Sequence, residues 1–142
     1  LGFLLGGYIS DRKGRTIAAT SMLLTSGLCC LLIGFLFTGP FWLFAVIIFI
    51  WGVSVVGDSA QFSTCVTELS DQRYVGTALS LQIALGFLLS SFVIWVIPYV
   101  VEFLGGWRWL PLFLAPGPFV GAYAMLKLRR HKDAVKLAGG LR

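Results

Sequence analysis

Residues 16–57 read TIAATSMLLTSGLCCLLIGFLFTGPFWLFAVIIFIWGVSVVG, a stretch of 42 residues between Arg15 and Asp58 that carries no charge. A charged side chain near the centre of a bilayer costs at least about 2.5–3.5 kcal/mol, so charges mark the ends of spanning helices and uncharged runs mark their interiors. At about 1.5 Å of rise per residue and about 30 Å of hydrocarbon, this run suffices for two crossings. Thr38-Gly39-Pro40 divides it, because Gly and Pro together interrupt a helix, and Phe41-Trp42 supplies the aromatic pair suited to a membrane interface. The spacing predicts a first full helix over residues 16–37 and a second over 41–63.

Two further uncharged runs lie downstream. Tyr74 to Val101 predicts a third helix over 75–101, and Trp109 to Leu126, near the lower limit of span length, predicts a fourth over 108–126. Leu1 to Ile9 is too short to cross alone. It has no initiator Met, no basic n-region and no cleavage-site pattern, so it reads as the end of a helix begun before Leu1 and not as a signal peptide. The predicted fold is an all-α, polytopic transmembrane helix bundle over residues 1–126. It comprises a helix end (1–9), a loop (10–15) and four complete helices, followed by a basic tail over 127–142. Composition agrees: 58% of residues are hydrophobic and 12% charged, against about 45–50% and about 25% in soluble domains. A soluble domain, a disordered chain and a disulfide scaffold are excluded on those figures.

The scarce charges then fix the orientation. Arg12, Lys13 and Arg15 precede the first full helix, Arg73 joins the second to the third, and Lys127, Arg129, Arg130, Lys132, Lys136 and Arg142 follow the fourth. If the helices alternate, all of these lie on one side and Arg108 alone lies on the other. The positive-inside rule makes the common side cytoplasmic, so that loop 10–15 and the tail face the cytoplasm of a multi-pass inner-membrane protein. The net charge of +5 is accounted for by topology, with an anionic-lipid patch as the lesser alternative and no nucleic-acid partner expected.

Gly7-Tyr8-Ile9-Ser10-Asp11-Arg12-Lys13-Gly14-Arg15-Thr16 is the most specific local pattern. Gly7 lets neighbouring backbones approach, Gly14 permits a turn that a Cβ would resist, and Asp11 can favour a helix N-terminus or pair with an Arg. Arg12 and Arg15 can bind carboxylates or lipid phosphates bidentately. Gly7, Asp11, Arg12, Gly14 and Arg15 match the G-x-x-x-D-R-x-G-R loop signature, and on them the chain resembles the major facilitator superfamily of secondary transporters. Thr16 stands where that family often has a further Lys or Arg. The segments Asp58 to Ser63, Gly76 to Gln82, Gly106 to Trp109 and Leu114 to Pro118 are similar to the last helices of bacterial members.

The resemblance implies the end of helix eight through helix twelve of a twelve-helix transporter, with helices two to six as the alternative placement. It also implies that the signature loop locks two six-helix halves together in one access state. The expected partners are then the lipid bilayer, the N-terminal six-helix half of the same chain and a small-molecule substrate of unknown identity.

Asp58 carries the sharpest functional expectation. Ser54, Gln61 and Cys65 stand at i−4, i+3 and i+7 from it and share its helical stripe. One reading has this stripe face a central cavity, where Asp58 binds a proton or a cationic substrate group during transport; the other has Asp58 pair with a loop Arg as a structural lock. On the third helix Gln82 is the cavity candidate, since an amide both donates and accepts. Gly76, Ser80 and Gly86 are small residues suited to helix packing, as are Gly117 and Gly121 in the fourth helix, where Pro116 and Pro118 predict a kink.

Cys29, Cys30 and Cys65 lack metal-ligand or redox spacing, His131 lies in the basic tail, and no phosphate-binding Gly-Lys-Ser/Thr loop is present. No metal, cofactor or enzymatic activity is expected. The leading expectation is a secondary active transporter working by alternating access, with proton coupling suggested by Asp58. The alternative is a small four-helix membrane anchor, assembly subunit or membrane enzyme.

Overall fold

The computed structural model describes residues 2–131 and residue 137; Lys132, Lys136 and Arg142 of the basic tail lie outside the described residues. The chain runs α1 (Gly2–Lys13), α2 (Arg15–Leu36), α3 (Phe41–Leu69), α4 (Val75–Leu104), a 3-10 turn (Trp107–Trp109), α5 (Leu110–Leu114) and α6 (Pro116–Arg129). Among the described residues, α2, α3, α4 and the combined Trp107–Arg129 segment are each long and apolar enough to cross a membrane.

The charged stretch over residues 10–15 is shorter as a connection than its composition suggests. Ser10 to Lys13 continue α1, because no helix breaker intervenes and the Ser10 carbonyl still accepts a hydrogen bond from the Gly14 N–H at 2.9 Å. Arg12 and Lys13 fall in the last turn, where the helix dipole favours cations. The whole reversal into α2 is made at Gly14, whose φ of 94° is strained for any residue bearing a Cβ.

The second predicted helix also runs further than expected, to Leu69 instead of residue 63. The hydroxyls of Thr64 and Thr67 donate to the carbonyls of Ala60 and Ser63, so the polar end of α3 carries the helix past the apolar limit that defined the expectation. Asp71 then accepts the Arg73 N–H at 3.0 Å, closing a turn into α4. At its other end α4 stops on Gly105, left-handed at φ 73°, with the Gly106 N–H bonded back to the Val101 carbonyl. The last crossing, expected as one helix, is broken at Ala115. Pro116 and Pro118 remove donors from the ladder there.

Lipid tails are as apolar as leucine, so helices in a bilayer associate mainly by close packing. α2 is built for the centre of such a bundle. Ala18, Ala19, Ser26, Gly27, Cys29, Cys30 and Gly34 give it a small-residue buried face, and 12 of its 22 residues are buried. Towards the Gly14 end, Ala19 and Leu23 pack with Cys65 of α3, Ala122 and Met125 of α6, and Leu137. Towards the Pro40 end, Cys29 and Ile33 pack with Ile47, backed by Phe44 and Trp51. The Trp51 Nε1 donates to Ser26 Oγ at 3.1 Å, satisfying two polar groups that lipid could not. Arg108 Nε donates to the Gly34 carbonyl, 3.3 Å away, tying the last turns of α2 to the 3-10 turn.

α4 lies at the edge and buries no residue. Phe41, Trp42, Tyr99, Phe103 and Trp107 are exposed at the Pro40 end of the bundle, an aromatic belt of the kind found at membrane interfaces. The chain is a multi-pass membrane protein.

Candidate functional site

The functional candidates fall into two regions, a charged cluster at the Gly14 hinge and a polar stripe on α3. The hinge cluster is organised by Arg15. Its Nη1 donates to Ser10 Oγ at 2.7 Å and lies 3.5 Å from Asp11 Oδ1, while its Nε and Nη2 both reach Glu68 Oε1 at 3.2 Å. One guanidinium therefore joins the end of α1, the start of α2 and the end of α3. Ser10 is fully buried beneath it, and both Arg15 and Glu68 are largely withdrawn from solvent. Asp11 is mostly exposed, and Arg12 stacks over the Tyr8 ring with its Cζ 4.5 Å from the centroid.

Of the five signature residues, Gly14, Arg15 and Asp11 thus meet in one cluster, while Arg12 and Gly7 stand aside. Nothing lies within 4 Å of where a Gly7 Cβ would be. The close backbone approach expected there is made instead by Gly2 and Gly6. A Cβ on Gly2 would come within 2.5 Å of the Val53 carbonyl oxygen, and one on Gly6 would be 3.3 Å from the Gly57 carbonyl oxygen. One step along a helix is a turn of about 100°, which swings Gly7 off the face that Gly6 presents. The legible signal was the four-residue spacing of Gly2 and Gly6. Glu68 and Ser10 were likewise not foreseen. Glu68 is 53 residues from Arg15 in sequence, and only the tertiary fold joins them.

Ser54, Asp58, Gln61 and Cys65 are all buried, so the predicted stripe is a single inward face. It points toward α1 and α2, and Gly57 within it meets Met22 and the Gly2 carbonyl. Asp58 Oδ1 accepts a hydrogen bond from Ser59 Oγ at 3.3 Å. Among the described residues no cation pairs with Asp58. Gln61 Oε1 is buried without a hydrogen-bond partner among the described residues. Ser54 lines a cleft of about 460 Å³ between α2 and α3 that also includes Ser21, Met22, Thr25 and Phe49.

Gln82 occupies a different cleft, of about 660 Å³, between α3 and α4. Its lining includes Ser59, Ser63, Phe62, Phe87 and Ser90, and the Gln82 Oε1 atom is withdrawn from solvent without a partner among the described residues. Asp58 and Gln82 do not share a cavity within this chain. Ser59 is the link, since its hydroxyl reaches Asp58 while its side chain lines the Gln82 cleft. Gly76, Gly86 and Gly117 face open space among the described residues, and Ser80 is exposed, because α4 and the start of α6 lie on the outside of the bundle. Gly121 does meet a neighbour, the Leu23 side chain, 3.3 Å from its Cβ position.

Among the described residues no nucleophile is paired with a base. The resources of the arrangement are a buried acid, one buried amide and one partly buried amide, serine-lined clefts and a charged hinge between helices. A family model described as Major Facilitator Superfamily matches residues 1–141. No curated protein and no solved structure matches the chain.

Proposed function

Because the chain belongs to the Major Facilitator Superfamily, we propose that it forms one half of a secondary active transporter that moves a small solute by alternating access, coupled to protons through Asp58. The observation that carries this reading is Asp58 itself, buried on the inward face of α3 with a serine as its polar neighbour and no cation beside it among the described residues. A carboxyl group so placed is positioned to take up and release a proton when water reaches it from alternate sides. A structural lock would need a cationic partner, and none pairs with Asp58 among the described residues.

The remaining half of the cavity is supplied by an N-terminal set of helices in the same chain. Asp11 and Arg12, both exposed at the hinge, face those helices and exchange partners as the halves rock. Two small residues of α4, Gly76 and Ser80, pack against them, while Gly86 lines the Gln82 cleft. Gln82 and the serines around it offer donors and acceptors to a polar solute. The hinge end is cytoplasmic in the inner membrane, on the distribution of basic residues. The protein is a carrier and not an enzyme.

The test is a transport screen with the full-length protein in sealed vesicles, across a panel of small solutes and with an imposed pH gradient. Uptake or efflux that depends on the gradient supports the reading. Vesicles that remain inert to every solute, with the protein folded and correctly inserted, would speak for an anchoring role.

A further inference from the structure

We propose that the groove between the start of α2 and the end of α6 is a binding site for an anionic phospholipid, held by Arg129 and Thr16. The groove encloses about 260 Å³. Its wall is apolar, with Ile17 and Leu24 from α2 and Leu126 from α6, and its polar end is formed by Thr16 and Arg129.

Three features point to this occupant. First, Thr16 is 1% exposed and its Oγ1 has no hydrogen-bond partner among the described residues. The other groove hydroxyls are satisfied locally, Thr20 by the Thr16 carbonyl at 2.6 Å and Ser21 by the Ala18 carbonyl at 2.8 Å. Thr16 alone is left to donate to a ligand oxygen.

Second, Lys127, Arg129 and Arg130 are exposed on the last turn of α6 and form no ion pair among the described residues. Lys127 and Arg130 line an adjoining cleft of about 360 Å³ on the other flank of Leu126. Cationic side chains gathered at the mouth suit a phosphate, and Arg is the side chain that binds phosphate bidentately.

Third, the apolar wall begins where the charges end. A free phosphate ion would use the cations and leave Ile17, Leu24 and Leu126 uncovered. A phospholipid covers both, with its phosphate at Arg129, an ester or phosphate oxygen accepting from Thr16 Oγ1, and an acyl chain along the leucines. This inference stands apart from the transport reading, because it requires only that the chain spans a membrane.

The experiment is native mass spectrometry of the full-length protein, purified in mild detergent with equal phosphatidylglycerol and phosphatidylcholine and checked for folding by thermal melting. Wild-type protein is expected to retain phosphatidylglycerol in preference to phosphatidylcholine. Arg129→Gln should lower that retention about fivefold, the factor of one basic side chain at an anionic membrane surface. Thr16→Val should lower it about threefold, as the loss of one hydrogen bond does. Arg73→Gln removes a charge from the α3–α4 connection, outside the groove, and should leave retention unchanged. Equal retention of the two lipids, or an equal loss in Arg73→Gln and Arg129→Gln, would overturn the site. Displacement of the retained lipid by soluble glycerol phosphate would overturn it as well, since the ligand would then be a free anion.

Discussion

Arg15 and Glu68 join the first turn of α2 to the last turn of α3, with Nε and Nη2 of the arginine converging on one carboxylate oxygen at 3.2 Å. Both side chains are partly buried, so removal of either leaves a charge with fewer partners. Glu68→Gln is expected to destabilise the folded protein by about 1–3 kcal/mol. Arg15→Ala should cost more, because Ser10 and Asp11 lose their partner at the same time. Chemical unfolding in detergent measures both, and equal stability of wild type and Glu68→Gln would refute the importance of the pair.

Gly57 and Gly52 lie on the same helix, but a Cβ on Gly57 would stand 3.2 Å from the Gly2 carbonyl oxygen while one on Gly52 would meet nothing within 4 Å. Gly57→Leu should therefore push α1 from α3 and cost about 1–3 kcal/mol, the usual penalty of overpacking. Gly52→Leu should be neutral or slightly stabilising through helix propensity. Gly7→Ala should resemble Gly52→Leu in stability, since its Cβ also enters open space. A drop in melting temperature for Gly7→Ala equal to that for Gly57→Leu would contradict the assignment of the close contact.

Gly14 makes the connection between α1 and α2 in a single residue at φ 94°. Gly14→Ala is expected to cost about 1–3 kcal/mol, because φ 94° with ψ 156° is a backbone region that essentially glycine alone occupies. Proteolysis of the reconstituted protein offers a second readout: faster cleavage near residue 14 should accompany the loss of stability.

These outcomes separate what sequence alone could and could not reveal. The division of the long apolar run at Gly39-Pro40, the need for glycine at position 14 and the shared face of Ser54, Asp58 and Gln61 all follow from local chemistry, and the structure has them. Helical spacing identifies a face but not what covers it. Gly76, Ser80 and Gly86 share small size and spacing with the buried face of α2, yet they lie on an edge helix. The partnership of Arg15 with Glu68 and the contact of Gly2 with Val53 depend on helices meeting across some fifty residues of chain, information that no local pattern holds. The ends of α1 and α3 were misjudged for a related reason. The expectation ends helices near where the apolar run gives way to polar residues, whereas helices continue until a residue such as Gly14 or Ser70 stops them.

Arg108 closes the far end of α2 by donating to the Gly34 carbonyl and resting 5.1 Å from the Trp109 ring centroid. The last carbonyls of a helix lack intrahelical donors, and a cation there also complements the dipole. Arg108→Ala should lower stability by about 0.5–1.5 kcal/mol, with Arg108→Lys recovering only part of it because Lys lacks the planar fork. Full recovery by Lys would mean that charge alone matters at this position.

Asp58 bears the central claim, and the direct measurement is the pH dependence of solute transport by the full-length protein and its Asp58→Asn variant in sealed vesicles. A wild-type rate that varies with pH and a variant rate that is flat, in a variant of unchanged melting temperature, is the result expected of a coupling acid. An Asp58→Asn protein that transports with the pH dependence of wild type would show that the proton is carried elsewhere.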